Sequence, residues 1–87
     1  MMPMNYAILK LFEDGQTYDA DSVMFALQDN YAGFRAFKKA NVVESLMAAE
    51  KNDLLEQASY DLDELGELHI YYRATEYGAS MIKSYIK

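Results

Sequence analysis

The stretch Leu68-His69-Ile70-Tyr71-Tyr72-Arg73-Ala74-Thr75-Glu76-Tyr77-Gly78 changes its periodicity part-way along. Up to Ala74 it alternates, with Leu68, Ile70, Tyr72 and Ala74 on one face and His69, Tyr71 and Arg73 on the other. Successive side chains of a strand point to opposite faces, so this is a strand, and the first set is its better core face. At Thr75 the alternation stops. A threonine hydroxyl can accept from the free amides of a helical first turn, so Thr75 caps a last helix. Tyr77, Met81 or Ile82, and Tyr85 then repeat at helical spacing.

The chain upstream completes the pattern. Asp63-Glu64-Leu65-Gly66-Glu67 reads as a turn and Leu54 to Asp61 as a strand, which together with Leu68–Ala74 makes an antiparallel hairpin. A helix is expected from about Phe34 to Glu50, with Ala36, Ala40, Val43 and Met47 on its core face and Leu46 at the flank. Its opposite face carries Lys38, Asn41 and Ser45, with Arg35 beside it. Asp29 to Gly33 is a turn, and the helix before it ends at about Leu27 or Gln28. Asp19 is its expected N-cap, with Tyr18 and Val23 in staple positions. Gln16 to Tyr18 is short and extended, and Asn5 to Glu13 is a first helix stopped by Gly15.

The order is therefore helix, extended piece, helix, helix, hairpin, helix. It is an α+β order that resembles the winged helix-turn-helix domain, with three helices, a two-stranded β-hairpin wing and a C-terminal helix. Tyr72-Arg73-Ala74-Thr75-Glu76-Tyr77-Gly78 is similar to the Tyr-Arg-Leu-Thr-x-x-Gly junction of small bacterial PadR- and MarR-type regulators, with Ala74 where Leu is usual. Ile8-Leu9-Lys10-Leu11-Phe12-Glu13-Asp14-Gly15 is similar to the first helix of such proteins. The resemblance spans nearly the whole chain and implies one winged-helix domain over residues 1–87.

It also implies a transcriptional regulator that binds double-stranded DNA as a homodimer. The third helix would enter the major groove and place Arg35, Lys38, Asn41 and Ser45 there, while Arg35, Lys38 and Arg73 hold phosphates. The residue types suit the task, since Arg and Lys neutralise phosphates or donate to guanine and Asn can pair with adenine.

Charge placement complicates this picture. The 87 residues hold 8 Lys+Arg and 14 Asp+Glu, a net charge of -6. Residues 34–52 carry Arg35, Lys38, Lys39 and Lys51 against Glu44 and Glu50. Residues 53–67 hold six acids and no base. A broad nucleic-acid coat would be basic overall, and an acidic wing repels a duplex. A second reading follows: a winged-helix scaffold for protein–protein contact, with a basic protein partner at the acidic hairpin. Eight tyrosines are a high usage for this length. Tyr71 and Tyr85 are the candidates left at the surface for a dimer interface built on the last helix, with the first helix beside it.

Other chemistries lack material. With no cysteine and only one histidine, His69, neither a disulfide framework nor a thiolate or multi-histidine metal site can form. Asp61, Asp63 and Gly66 fall at positions 1, 3 and 6 of a calcium loop, but Leu65 and Tyr72 stand where two ligands are needed. There is no nucleophile elbow and no glycine-rich phosphate loop. A chain this short buries only about 60% of its unfolded surface, which leaves no room for a large cleft. No enzyme activity and no cofactor are expected. No apolar run is long enough for a membrane span. The N-terminus has no signal-peptide pattern, so the expected location is cytoplasmic.

Overall fold

Two carboxylate or hydroxyl caps and one left-handed glycine set most of the element boundaries. The computed structural model describes residues 2–86. Helix α1 spans Met4–Leu11 and tightens into a 3-10 turn over Phe12–Asp14. Gly15 ends it in the left-handed region at φ 78°, which glycine adopts without a Cβ clash. Helix α2 spans Ala20–Tyr31 and begins at Asp19, whose carboxylate accepts from the Ser22 amide at 2.9 Å. Helix α3 spans Lys39–Lys51. Strands β1 (Leu55–Leu62) and β2 (Leu68–Ala74) form the hairpin, and α4 spans Glu76–Tyr85 behind Thr75.

The hairpin register pairs Leu62 with Leu68, Asp61 with His69 and Tyr60 with Ile70, with an irregularity between Gln57 and Ser59. On the far edge of β2, Tyr18 and Tyr72 exchange backbone hydrogen bonds of 3.0 and 2.9 Å. The extended piece after α1 thus joins the base of the wing as a third, one-residue strand. Ile8, Phe12, Val23, Val42, Leu46, Leu55 and Ile82 are fully buried and form the centre of the core. Every helix and the hairpin base contribute to it. This is the winged helix-turn-helix arrangement.

The junction in which β2 hands over to α4 is explained by close approach. The Thr75 hydroxyl accepts from the Gly78 amide at 2.8 Å and donates to the Asp53 carbonyl at 2.5 Å. The Thr75 amide donates to the Leu54 carbonyl at 3.1 Å. That carbonyl lies where a Gly78 side chain would begin, since a Cβ there would sit 1.8 Å from the Leu54 oxygen. Thr75 and Gly78 together clamp the start of the wing onto α4.

Two expectations about the middle of the chain need correction. Helix α2 runs on through Tyr31, and α3 starts at Lys39 rather than near Phe34. Residues between them form tight turns, with the Phe34 amide bonded to the Tyr31 carbonyl and the Phe37 amide to the Phe34 carbonyl. Phe34 meets Tyr31 edge-on at 5.2 Å between ring centroids, and Phe37 lies 6.4 Å from it. These aromatic contacts hold a turn where a helix was expected. The core face of α3 is Val42, Leu46 and Ala49, while Ala36, Ala40 and Met47 are exposed and Val43 is half-buried. Both sets are apolar and helically spaced, and the branched pair Val42 and Leu46 goes inward.

Candidate nucleic-acid interface

In a helix-turn-helix the exposed side of the second helix of the pair, and the turn before it, are the surfaces available to a duplex. Here they are α3 and residues 32–38. Lys38 is the N-cap of α3, in extended backbone, and offers no side-chain acceptor to the amides of the first turn. The positive end of the helix dipole therefore stands beside the Lys38 and Lys39 ammonium groups. Arg35 and Lys38 are exposed and make no ion pair among the described residues. Lys39 is bound to Asp21 of α2 at 2.9 Å, and that hydrogen bond, outweighing a small effect of burial, raises its pKa.

The other expected contact residues are occupied within the domain. The Asn41 side-chain amide donates to the Ala36 carbonyl at 2.9 Å and closes the turn ahead of α3. Ser45 Oγ donates to Asn5 Oδ1 at 2.8 Å, so it faces α1. Arg73 lies on β2 and pairs with Glu56 of β1 at 2.9 Å. The structure thus gathers Arg35 and Lys38 at one end of α3 and directs Asn41, Ser45 and Arg73 elsewhere. The outward strip of α3 is instead Ala40, Glu44, Met47, Ala48 and Lys51. Lys39, missing from the expected set, stands beside Lys38 at this end of α3. The doublet Lys38-Lys39 was the signal for it, obscured by the early helix start.

The wing has its own electrostatic organisation, centred on His69. Its Nδ1 lies 2.9 Å from Asp19 Oδ2, and its Nε2 lies 3.0 Å from Asp63 Oδ2. Asp21 Oδ2 is 3.5 Å from Nδ1. The Asp63 hydrogen bond, then that of Asp19, raises the His69 pKa above its ordinary value. Burial opposes ionisation of Asp19, yet its bonds to Ser22 and to His69 outweigh this and hold its carboxyl below the usual range. Asp63 is likewise lowered, chiefly by His69 and by the Glu67 amide it accepts from. When His69 is protonated, both its N–H groups donate to carboxylates and tie the cap of α2 to the wing turn. Asp19, Asp21 and His69, and Asp63, Glu67 and His69, present ligand atoms within 4.8 Å of one another. With both ring nitrogens already engaged by carboxylates, the geometry is satisfied by a proton.

Tyr85 is 73% exposed on α4, while Tyr71 is half-buried on the wing. Its hydroxyl pKa is raised by burial and by Asp61. Tyr85, Met81, Tyr6, Leu9 and Leu54 line an apolar groove of about 200 Å³ between α1 and α4. Tyr71 lies outside it.

The domain is similar to PadR of Bacillus subtilis, solved in complex with operator DNA, with a TM-score of 0.75 and 15% identity. That match covers 93% of this chain and 45% of the other, so this chain spans less than half of that regulator. A PadR-like transcriptional regulator from Bacillus cereus gives a TM-score of 0.67 and 18% identity, over 91% of this chain and 73% of the other. No protein-family model matches the sequence, and no curated protein does so significantly. What is shared is the winged helix-turn-helix fold of PadR-type regulators.

Proposed function

We propose that this chain binds double-stranded DNA through the N-terminal end of α3 and acts, as a homodimer, in transcriptional regulation. The observation that carries the reading is the gathering of Arg35, Lys38 and Lys39 where α3 begins. It stands on the fold shared with a regulator solved on its operator. Binding is non-covalent and rests on phosphate contacts, the larger part of most duplex affinities. The outward strip of α3 offers methyl groups and the Met47 thioether, suited to thymine methyls more than to hydrogen-bonded base reading.

Charge reversal tests the assignment. Lys38→Glu should abolish retention of any duplex, and Glu64→Lys, which relieves an exposed acid of the wing turn, should strengthen it. Unchanged affinity in both variants would remove the duplex reading.

For the dimer, the α1–α4 groove is the supporting feature, with Tyr85 at its edge. Buried aromatics are enriched at such interfaces. Sedimentation equilibrium at micromolar concentration should give twice the chain mass of 10.0 kDa, reduced to one chain in Tyr85→Ser. A wild-type mass of one chain would end the dimer proposal.

A second reading is favoured by a separate observation. The wing turn carries Asp63, Glu64 and Glu67, and no Lys or Arg lies between Lys51 and Arg73. That surface suits a basic protein partner.

A further inference from the structure

The outer side of α3 and the inner face of the wing enclose an apolar groove. Val43, Leu46 and Met47 of α3 meet Leu68 and Ile70 of β2 around a cavity of about 130 Å³. The hairpin register extends this surface, because residues directly opposite in an antiparallel pair share a face. Tyr60 stands opposite Ile70 and Leu62 opposite Leu68. Met47, Leu62, Leu68 and Tyr60 are each more than half exposed. Solvent-exposed apolar side chains scattered singly need no explanation, but a contiguous run of them marks an interaction surface.

The rim of the groove is acidic. Asp19 and Asp21 line the same cavity, and Lys39 there is already neutralised by Asp21. Asp63 reaches the rim through His69, and the exposed Glu67 carboxylate lies beside both. Among the described residues that line the cavity the only other basic side chain is His69, which is held between two carboxylates.

We propose that this groove docks a basic amphipathic segment of another protein. One aliphatic side chain would enter the cavity between Met47 and Leu68, and flanking Lys or Arg residues would face Asp21 and the wing acids Asp63 and Glu67. Charge complementarity fixes the choice of occupant. A phosphate backbone is repelled by this rim, and a neutral apolar peptide would leave it unmatched. The cavity gives position and the acids give selection for cationic flanks. Lys39, paired with Asp21, stands both at the start of α3 and in the lining of this cavity, but docking rests on the apolar lining and the acidic rim and not on duplex binding.

The test uses the whole chain and a fluorescent 14-residue peptide of alternating Leu and Lys-Lys steps, titrated by anisotropy at moderate salt. A second peptide has every Leu replaced by Ser at the same charge. The expected result is saturable binding of the first peptide, at least tenfold weaker binding of the second, and at least tenfold loss in Leu68→Asn and in Met47→Gln. Both substituted side chains are exposed, so the fold is kept, and a matching circular dichroism melt confirms it. Phe25→Ser, exposed on α2 and outside the lining of this cavity, should leave the affinity unchanged. Equal binding of both peptides, or full affinity in the two groove variants, would show charge alone at work and overturn the proposal. Loss of duplex affinity in Leu68→Asn and Met47→Gln with no saturable peptide binding would assign the face to DNA and overturn it equally.

Discussion

Gly78→Ala should prevent the domain from folding stably. The new Cβ would lie 1.8 Å from the Leu54 carbonyl oxygen and 2.6 Å from its carbon, both backbone atoms. A flexible side chain could yield to such a contact, but this backbone cannot move freely. The Leu54 carbonyl accepts from the Thr75 amide, and Asp53 beside it sits at φ 63° with its carbonyl bound to the Thr75 hydroxyl. Ordinary overpacking costs about 1–3 kcal/mol, and total stabilities are only about 5–15 kcal/mol. A backbone clash this close should exceed the ordinary range and remove the cooperative melt at room temperature. Gly33→Ala is the control, because nothing lies within 4 Å of its added Cβ. It should change stability by no more than about 0.5 kcal/mol. A Gly78→Ala melt within a few degrees of wild type would contradict the packing described for this junction.

The next largest effect is expected at Asp19. Its carboxylate caps α2 through the Ser22 amide and hydroxyl and also binds His69. Loss of an N-cap costs about 0.5–2 kcal/mol, and loss of a charge-assisted bond adds to it. Asp19→Ala should therefore lose about 2 kcal/mol, a Tm fall of roughly 10 °C for a domain this size. Asp19→Asn retains the cap oxygen and separates the two contributions by pH. The His69 pKa is raised above 6.5, so its share of stability is complete below that value and disappears as pH rises through the folded pKa. Asp19 and Asp63 are lowered from 3.8, so their share is present above that value and disappears as pH falls through the folded pKa. Wild type should be most stable between these limits. Above them neutral His69 donates through one nitrogen only and releases one carboxylate. The Asn variant should fall well below wild type near pH 5.5 and approach it near pH 9. An equal deficit at both pH values would mean that His69 adds nothing beyond the cap.

These two junctions were legible in the sequence for one reason. A cap is local chemistry, written in one residue and its next turn, so Asp19, Thr75 and the left-handed Gly15 could be placed without a fold. Strand β2 was legible over Leu68–Ala74 from its alternating residues, but its burial follows that alternation only around Tyr72. Leu68, expected on the core face, is exposed at the open end of the wing, and Tyr71, expected outside, is half-buried. Helix α3 was not, because Ala40, Val43 and Met47 compete with Val42, Leu46 and Ala49 at the same spacing. Only packing against α1, α2 and the hairpin decides between them. The site followed the same division. The charge gathered at Arg35 and Lys38 is a property of the sequence. The ties of Asn41 to Ala36, Ser45 to Asn5 and Arg73 to Glu56 are tertiary or depend on the turn before α3. The role of His69 as a bridge was equally hidden, since Asp19 approaches it from another element.

The most direct test of duplex binding at the start of α3 is the salt dependence of affinity, measured from about 50 mM upward. The probes are duplex fragments retained by the purified chain. Arg35 and Lys38 offer about two phosphate neutralisations per chain, Lys39 being held by Asp21, so log affinity should fall against log salt with a slope of about -2 per chain. Lys38→Glu should show no retention at any salt. Absence of duplex binding by the wild-type chain at the lowest salt, or a Lys38→Glu curve that overlays the wild type, would contradict the account.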